Sequence, residues 1–357
     1  MKRIEHEGRL PPASRTPGAA AATGLEVTNA MNILVTGGAG YVGSHAVRLL
    51  ASGGHDVWVY DNLSRGHRGA VPAGRLIEGD LADRDRLEHA LRSKSIEAVM
   101  HFAALALVGE SVEQPHRYYG NNVVGSCQLL EAMRAAGVGR IVFSSTTATY
   151  GAPARIPITE DEPQRPINPY GFTKLVIEQA LHDYAQAYGW GYAALRYFNA
   201  AGASPAGDLG EDHDPESHLI PIVLQVALGQ RPQVMIFGDD YPTPDGTCIR
   251  DYIHVDDLAD AHLKALDKLQ PGVGLQLNLG TGRGQSVREV IEACRRVTGH
   301  AIPTATGPRR PGDPPELVAD SRRAQRTLQW RPRYTDVESI VETAWRWHLS
   351  HPRGFDD

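Results

Sequence analysis

The sequence predicts an α/β fold, a doubly wound parallel sheet followed by a smaller C-terminal domain. Short apolar runs alternate with helical patterns through the first two hundred residues. A glycine-rich turn joins the first such run to the first helix, and an acid closes the second run. Repeated βα units of this kind imply parallel strands linked by right-handed crossovers.

Asn32-Ile33-Leu34-Val35 is a continuous apolar run stopped by Gly37-Gly38, the pattern of a strand buried on both faces. An amphipathic stretch at 41–51 ends at Gly53-Gly54, and 56–60 reads as the second strand. Further strands are expected at 98–102, 140–143 and 192–196, with helices between them at 83–93, 119–136 and 170–188. After about residue 200 the text is richer in Pro, Gly and Asp, and helices are expected at 219–229, 256–268, 286–298 and 337–349. The nucleotide-binding domain is placed at 31–200, with 236–265 partly returning to it, and the second domain at 201–357. Residues 1–30 have no hydrophobic periodicity and lack the apolar core of a signal peptide. They are expected to be a disordered extension, with Met31 as the working start.

Composition narrows the function. The charge is 36 − 42 = −6 with no basic block, which argues against a nucleic-acid partner. No run reaches the ~20 apolar residues of a bilayer span. Cys127, Cys248 and Cys294 lie far apart, so neither a disulfide framework nor a zinc site is expected, and a reducing, cytoplasmic setting fits.

The turn Thr36-Gly37-Gly38-Ala39-Gly40-Tyr41-Val42-Gly43 places glycines at 37, 40 and 43 between strand and helix. Such glycines permit a tight turn and close approach to a pyrophosphate facing the helix N-terminus. Glycine spacing alone is weak, but Asp61 ends the second strand 18 residues after Gly43. Its carboxylate suits an adenosine ribose and repels a 2′-phosphate, so NAD is preferred over NADP. The alternative is a solvated acid in a turn. Asp80 either meets the adenine edge or caps the helix at 83–93.

Tyr170 and Lys174 stand at i and i+4 on one face of a helix. A phenol with an ordinary pKa near 10 is a poor base at neutral pH. A neighbouring ammonium and an oxidised nicotinamide would both lower it. Alone, this spacing is as common on ordinary surfaces. Here it follows a strand ending in Ser144-Ser145-Thr146, whose hydroxyls can meet a substrate alcohol.

Longer phrases carry a family likeness: VTGGAGYVGSH at 35–45, DNLS at 61–64, NNVVG at 121–125, PYGFTK at 169–174, RYFNAAGA at 196–203, IFGDDYPTPDGTCIRDYIHVDDLADAH at 236–262, NLGTG at 278–282 and PRRPGD at 308–313. From Met31 onward the chain resembles the extended short-chain dehydrogenase/reductase superfamily and, within it, the UDP-sugar 4-epimerases. The resemblance implies a Rossmann-type domain with tightly held NAD, a smaller C-terminal UDP-sugar-binding domain, and a homodimer. It makes Tyr170 the base and acid at O4 of the hexose, Lys174 a partner of the nicotinamide ribose, and Thr146 the bridge between O4 and the tyrosine. It sets Tyr41, Val42, Asn62, Ser64, Leu81, Phe102, Ala103, Ala104, Asn121 and Tyr197 along the cofactor. Asn199, His218, Leu219, Phe237, Arg250, Tyr252, Arg310, Asp313 and Leu317 fall along the UDP-sugar. Two arginines suit a pyrophosphate, although without the resemblance surface ion pairs with Asp251 and Asp313 are the ordinary reading.

The expected reaction is interconversion of UDP-glucose and UDP-galactose through a 4-keto sugar. Another UDP-hexosamine or UDP-pentose substrate is the alternative. A 4,6-dehydratase needs two acids directly after Thr146, where Thr147-Ala148 stand; a decarboxylase is likewise disfavoured. A non-catalytic NAD-binding scaffold has no need of both Tyr170 and Lys174. Three positions depart from the family pattern: Ala106 where some members carry lysine, His218 where asparagine is frequent, and Leu317 at the wall of the sugar pocket.

Overall fold

The computed structural model describes residues 30–310 and 313–356. The expectation of disorder for residues 1–30 falls, Ala30 apart, outside them. The first half runs β1 (Asn32–Thr36), α1 (Tyr41–Ser52), β2 (Asp56–Asp61), β3 (Leu76–Glu78), α2 (Arg84–Ser93), β4 (Ala98–His101), α3 (Val108–Glu113) and α4 (Pro115–Tyr118). It continues with α5 (Gly125–Ala136), β5 (Arg140–Ser144), α6 (Pro169–Tyr188) and β6 (Gly191–Arg196). The second half comprises β7 (Asn199–Ala201), α7 (Leu219–Ala227), β8 (Val234–Phe237), β9 (Ile249–His254), α8 (Val255–Asp267), β10 (Gly274–Asn278) and β11 (Gly284–Ser286). It ends with α9 (Val287–Thr298), β12 (Thr304–Gly307), β13 (Glu316–Leu317), α10 (Arg322–Leu328) and α11 (Val337–Ser350).

Seven strands form one parallel sheet in the order β10-β6-β5-β4-β1-β2-β3. Chain order reverses between β1 and β4, and ligands of open α/β sheets bind at such a switch point, beyond the carboxyl ends of the strands. The central strands are buried throughout, which explains their unbroken apolar runs. One face packs Val35, Val59, Met100 and Leu195 against Leu50, Leu258 and Trp330, and the other packs Leu34, Val99 and Phe143 against Leu87, Leu129 and Leu181. A separate core gathers Val223, Val290, Ile291 and Val341 around α7, α9 and α11.

The segment 236–265 divides. Helix α8 buries Leu258, Ala261 and Leu266, packing on α1 and the large sheet. Strand β9 instead pairs with β11, β13 and β7 in a small second sheet. Two elements cross the expected division at residue 200. Strand β10 adds the seventh strand beside β6, and Trp330, after α10, is fully buried with its indole N–H bonded to the Asp257 carbonyl at 3.0 Å. The short Leu275-Gln-Leu277 alternation is easily hidden in a glycine-rich stretch, yet it covers an otherwise open edge. The expected helix at 119–136 has a wider, π-helical turn over Tyr119–Val124, so that α4, this turn and α5 form one run.

Candidate active site

A continuous cleft of about 1140 Å³ opens at the switch point and extends to the second core. Pockets for one drug-sized ligand hold ~300–1,000 Å³, so this cleft has room for more than one small molecule. Its floor is the glycine turn. Gly37 has φ +72°, and a Cβ there would lie 2.4 Å from the Ala103 nitrogen; a Cβ on Gly43 would lie 2.1 Å from the Gly37 oxygen. Both positions therefore need glycine. The turn is tied to the end of β2, where Asp61 accepts hydrogen bonds from the backbone N–H of Ala39 at 3.0 Å and of Leu63 at 2.9 Å. Burial raises the Asp61 carboxyl above its ordinary pKa, opposed by those two bonds.

The glycine turn, Asp61, Asn62, Ser64, Leu81, Phe102, Ala103, Ala104, Asn121 and Tyr197 all line the cleft. Asp80 does not. Its carboxylate accepts from the Asn62 side chain at 2.7 Å and the Ala82 N–H at 2.9 Å. Nor does Asp80 cap the helix: Asp83 does, accepting from the Arg86 N–H at 3.0 Å. The floor suits a dinucleotide: cradles that a side chain would fill, an acid at the ribose position, and a helix N-terminus facing the pyrophosphate.

Halfway along, α6 delivers Tyr170 and Lys174. Asn168 caps the helix, accepting from the Gly171 N–H at 2.8 Å, and Pro169 opens its first turn. Lys174 is deeply buried, and Tyr170 is partly buried at the cleft wall. Lys174 Nζ donates to the Ser144 carbonyl at 2.8 Å and sits 6.0 Å from the Tyr170 ring centre. Burial pushes the ammonium down to about 7, against the pull of Glu178. The sequence expectation for Tyr170 concerns the chain with oxidised nicotinamide bound; the cofactor-free phenol is set by its surroundings. Burial raises its phenol well above 10 and Tyr197 adds to the rise, while a hydrogen bond with Thr146 opposes it. The Lys174 ammonium is directed at the Ser144 carbonyl and not at the phenol. Thr146 Oγ1 accepts from the Ala148 N–H at 3.1 Å, which leaves its proton for the tyrosine oxygen.

Beneath this pair lies a buried network. Arg196 Nε meets the Glu178 carboxylate at 3.0 and 3.2 Å, and Arg196 Nη1 donates to Tyr150 at 2.7 Å. Ser145 and Gln164 also donate to Glu178.

At the far end Asn199, His218, Leu219, Phe237, Arg250, Tyr252, Arg310, Asp313 and Leu317 line the cleft. Of the two acids a surface reading would pair with these arginines, Asp313 does take one and Asp251 takes neither. Arg250 is bonded to Asp313, and the Arg310 guanidinium lies 4.2 Å over the Phe237 ring. Asp251 is buried and holds the turn at 281–282, accepting from the N–H groups of Thr281 at 2.9 Å and Gly282 at 3.0 Å. Ala106 lines the cleft as well.

Sequence reasoning missed Glu211, His213 and Glu216, which line the cleft beside His218. The signal was the alternation of Glu and His at 211, 213, 216 and 218 in one loop. Burial would raise the Glu211 carboxyl, but His218 and His213 hold it low. Burial and Glu211 together push Glu216 up.

A doubly wound sheet with a glycine turn at its switch point, and a cleft-lining tyrosine and lysine one helical turn apart, defines a dinucleotide-dependent enzyme of the dehydrogenase/reductase type. The model of the NAD dependent epimerase/dehydratase family matches residues 33–280, and the chain belongs to that family. It is 57% identical over 326 residues to the UDP-glucose 4-epimerase of Halalkalibacterium halodurans, covering 91% of this chain and 98% of the relative. Among solved structures, the Brucella ovis UDP-glucose 4-epimerase in complex with NAD superposes with a TM-score of 0.85 at 52% identity, covering 88% of this chain and 98% of that one. The Bifidobacterium longum enzyme in complex with NAD⁺ and UDP gives 0.87 at 40% identity, covering 91% and 100%.

Proposed function

We propose that the protein is an NAD-dependent UDP-glucose 4-epimerase that interconverts UDP-glucose and UDP-galactose. The observation that carries this reading is a single cleft holding a dinucleotide floor, a Tyr170–Thr146 pair and an arginine-lined end large enough for a second ligand. The glycine turn, Asp61 and Lys174 would hold NAD, which when bound supplies a hydride acceptor and donor for C4 of the sugar.

This chain's own groups supply the rest. Tyr170 Oη would act from the phenolate state, which the Lys174 charge and bound oxidised NAD would favour; it takes the proton from the 4-hydroxyl and later returns it. The Thr146 hydroxyl bonds to Tyr170 and steadies the phenolate as it forms. Lys174, fixed on the Ser144 carbonyl, contributes a positive charge beside the tyrosine ring. Arg250 and Arg310 grip the diphosphate, so that the sugar turns about that anchor and presents its other face. A 4,6-dehydratase has no support here: Thr147, where an acid would stand, is buried and bonded to the Tyr197 carbonyl. Among the described residues no helix is long and apolar enough to cross a membrane.

The exposed Val112, Tyr119, Val124 and Phe172 on α3, the π-helical turn and α6 offer an apolar face that supports a homodimer, checked by light scattering. The reaction is tested by proton NMR of the purified protein with UDP-glucose. UDP-galactose is expected to accumulate to a fixed ratio from either sugar; no conversion of any UDP-hexose in the presence of NAD overturns the reading.

A further inference from the structure

The loop leading into α7 carries a second set of chemistry-bearing side chains that hydride transfer does not use. We propose that Glu211, His213, Glu216 and His218 bind one first-row divalent transition-metal ion of the zinc class.

One ligand atom from each residue lies within 4.8 Å of all the others. His213 Nδ1 is 3.2 Å from Glu211 Oε1 and 3.8 Å from Glu216 Oε2, while His218 Nδ1 is 3.6 Å from Glu216 Oε1 and is hydrogen-bonded to Glu211 Oε1 at 2.5 Å. Tetrahedral zinc with bonds of about 2.0–2.2 Å sets its ligand atoms roughly 3.3–3.6 Å apart, so three of these separations already fit or nearly fit, and binding an ion replaces the His218–Glu211 hydrogen bond by opening that pair about 1 Å.

The chemistry of the donors fits. Both glutamate side chains are only 4% exposed, and two facing carboxylates in such a site require positive charge. In the ion-free cluster the His218–Glu211 pair supplies part of it; a divalent ion with two neutral imidazoles and two carboxylates balances both carboxylates at once. Two imidazoles favour zinc and its first-row neighbours over calcium or magnesium, which prefer all-oxygen shells.

An independent observation concerns His213 Nδ1. This buried atom makes no hydrogen bond, although a carboxylate oxygen lies 3.2 Å away. An unpartnered ring nitrogen among two carboxylates is free to act as a metal ligand. Glu216 is already oriented for the task. Its Oε1 accepts from the N–H groups of Ser217 at 2.7 Å and His218 at 2.8 Å, and its Oε2 is the oxygen toward His213. Such supporting bonds aim a ligand and hold it. The loop is also fastened from behind, where the Glu211 carbonyl accepts from the Trp347 indole at 3.2 Å. An ion here pins the stretch of cleft wall that presents His218 and Leu219. The inference stands on these donors and does not depend on the proposed reaction.

The test uses the full chain without a histidine tag, stripped by a chelator and dialysed. Zn²⁺ is titrated in competition with a chromophoric chelator, and Co²⁺ is added separately for its visible d–d spectrum. One ion per chain and an intense low-coordinate Co²⁺ spectrum are expected. His213→Gln and Glu216→Gln should each weaken Zn²⁺ binding at least ~10-fold, since even residues that only support a ligand cost 10–100-fold. Circular dichroism of the stripped variants checks that they fold. The wild-type Co²⁺ spectrum decides the matter even if they do not. Failure to compete for Zn²⁺, a spectrum like that of aqueous Co²⁺, or folded variants that bind as wild type would overturn the proposal.

Discussion

The Lys174 ammonium donates to the Ser144 carbonyl at 2.8 Å, and this bond joins the helix that carries Tyr170 to the strand that leads to Thr146. The geometry fixes where protons can go. Lysine is anchored on backbone, and threonine, its oxygen already accepting from Ala148, keeps its proton for the phenol. Tyr170→Phe is therefore expected to retain NAD and UDP while losing the proton acceptor, with kcat falling at least ~10²-fold as for general bases. Thr146→Val should fall less, because it removes the bridge and leaves the base. Steady-state kinetics with the absorbance of bound cofactor separate the two effects. Full activity in Tyr170→Phe sinks the assignment.

Lys174 also writes a pH signature. Its native pKa is about 7 because of burial, against about 10.4 for an unfolded lysine. Between pH 7 and 10 the unfolded chain holds the extra proton, so the contribution of this group to stability rises with pH and is lost as pH falls through that window. Lys174→Met should remove the slope. In cofactor-free protein, Tm of wild type minus Tm of the variant is expected to increase from pH 7 to pH 9. Parallel profiles would show that the amine is solvated in the native state.

Below the lysine, Arg196 and Glu178 form an ion pair whose side chains are 4% and 5% exposed. Removing one partner strands a buried charge, which costs ~3–5 kcal/mol. Glu178→Gln is expected to lower urea stability by about that amount, tempered by the bonds that Gln can keep with Ser145. A loss under ~1 kcal/mol, typical of an exposed pair, would mean that water reaches Arg196.

How far these features were legible depended on how local their signals were. Gly37, Gly43, Asp61, Tyr170 and Lys174 were readable because one turn and one helical period bring them together, so a short stretch of text contains the geometry. Strand β10 and Trp330 were not, since their burial depends on α8 and β6, far away in the chain. The desolvation that raises the phenol of cofactor-free Tyr170 was not readable for the same reason: the neighbouring Lys174 is visible in sequence, but that burial comes from the whole cleft. Asp80 shows the limit of motif reasoning, because a loop acid at the right distance is satisfied by Asn62 instead.

Asp61 holds the glycine turn, and in the proposed reading it also meets the adenosine ribose, so Asp61→Ala is expected to act twice. It removes the acceptor for Ala39 and Leu63 and the charge that repels a 2′-phosphate. NAD affinity should fall, and the preference for NAD over NADP should narrow. Calorimetry with both dinucleotides reads this, and unchanged discrimination would mean that Asp61 does not touch the ribose.

Leu317 bears on sugar choice. It lies on β13, in register with Arg250 of β9, and its side chain is half-buried at the cleft wall. That places it beside the arginine assigned to the diphosphate, within reach of the hexose that follows. An N-acetyl group at C2 adds several heavy atoms relative to a hydroxyl, and a packed wall absorbs such volume only with strain of about 1–3 kcal/mol. Wild type is thus expected to act well on UDP-glucose and UDP-galactose and weakly on UDP-N-acetylglucosamine. Leu317→Ala opens space without adding a contact. It should raise kcat/KM for the N-acetyl sugar relative to glucose by about 5–150-fold, the rate equivalent of relieving 1–3 kcal/mol. The fold should tolerate the change, because Leu317 is only half-buried and its strand pairing is made by backbone. If the ratio of the two kcat/KM values does not move, the selective wall lies elsewhere in the cleft, and β13 serves only to hold β9 and Arg250 in place.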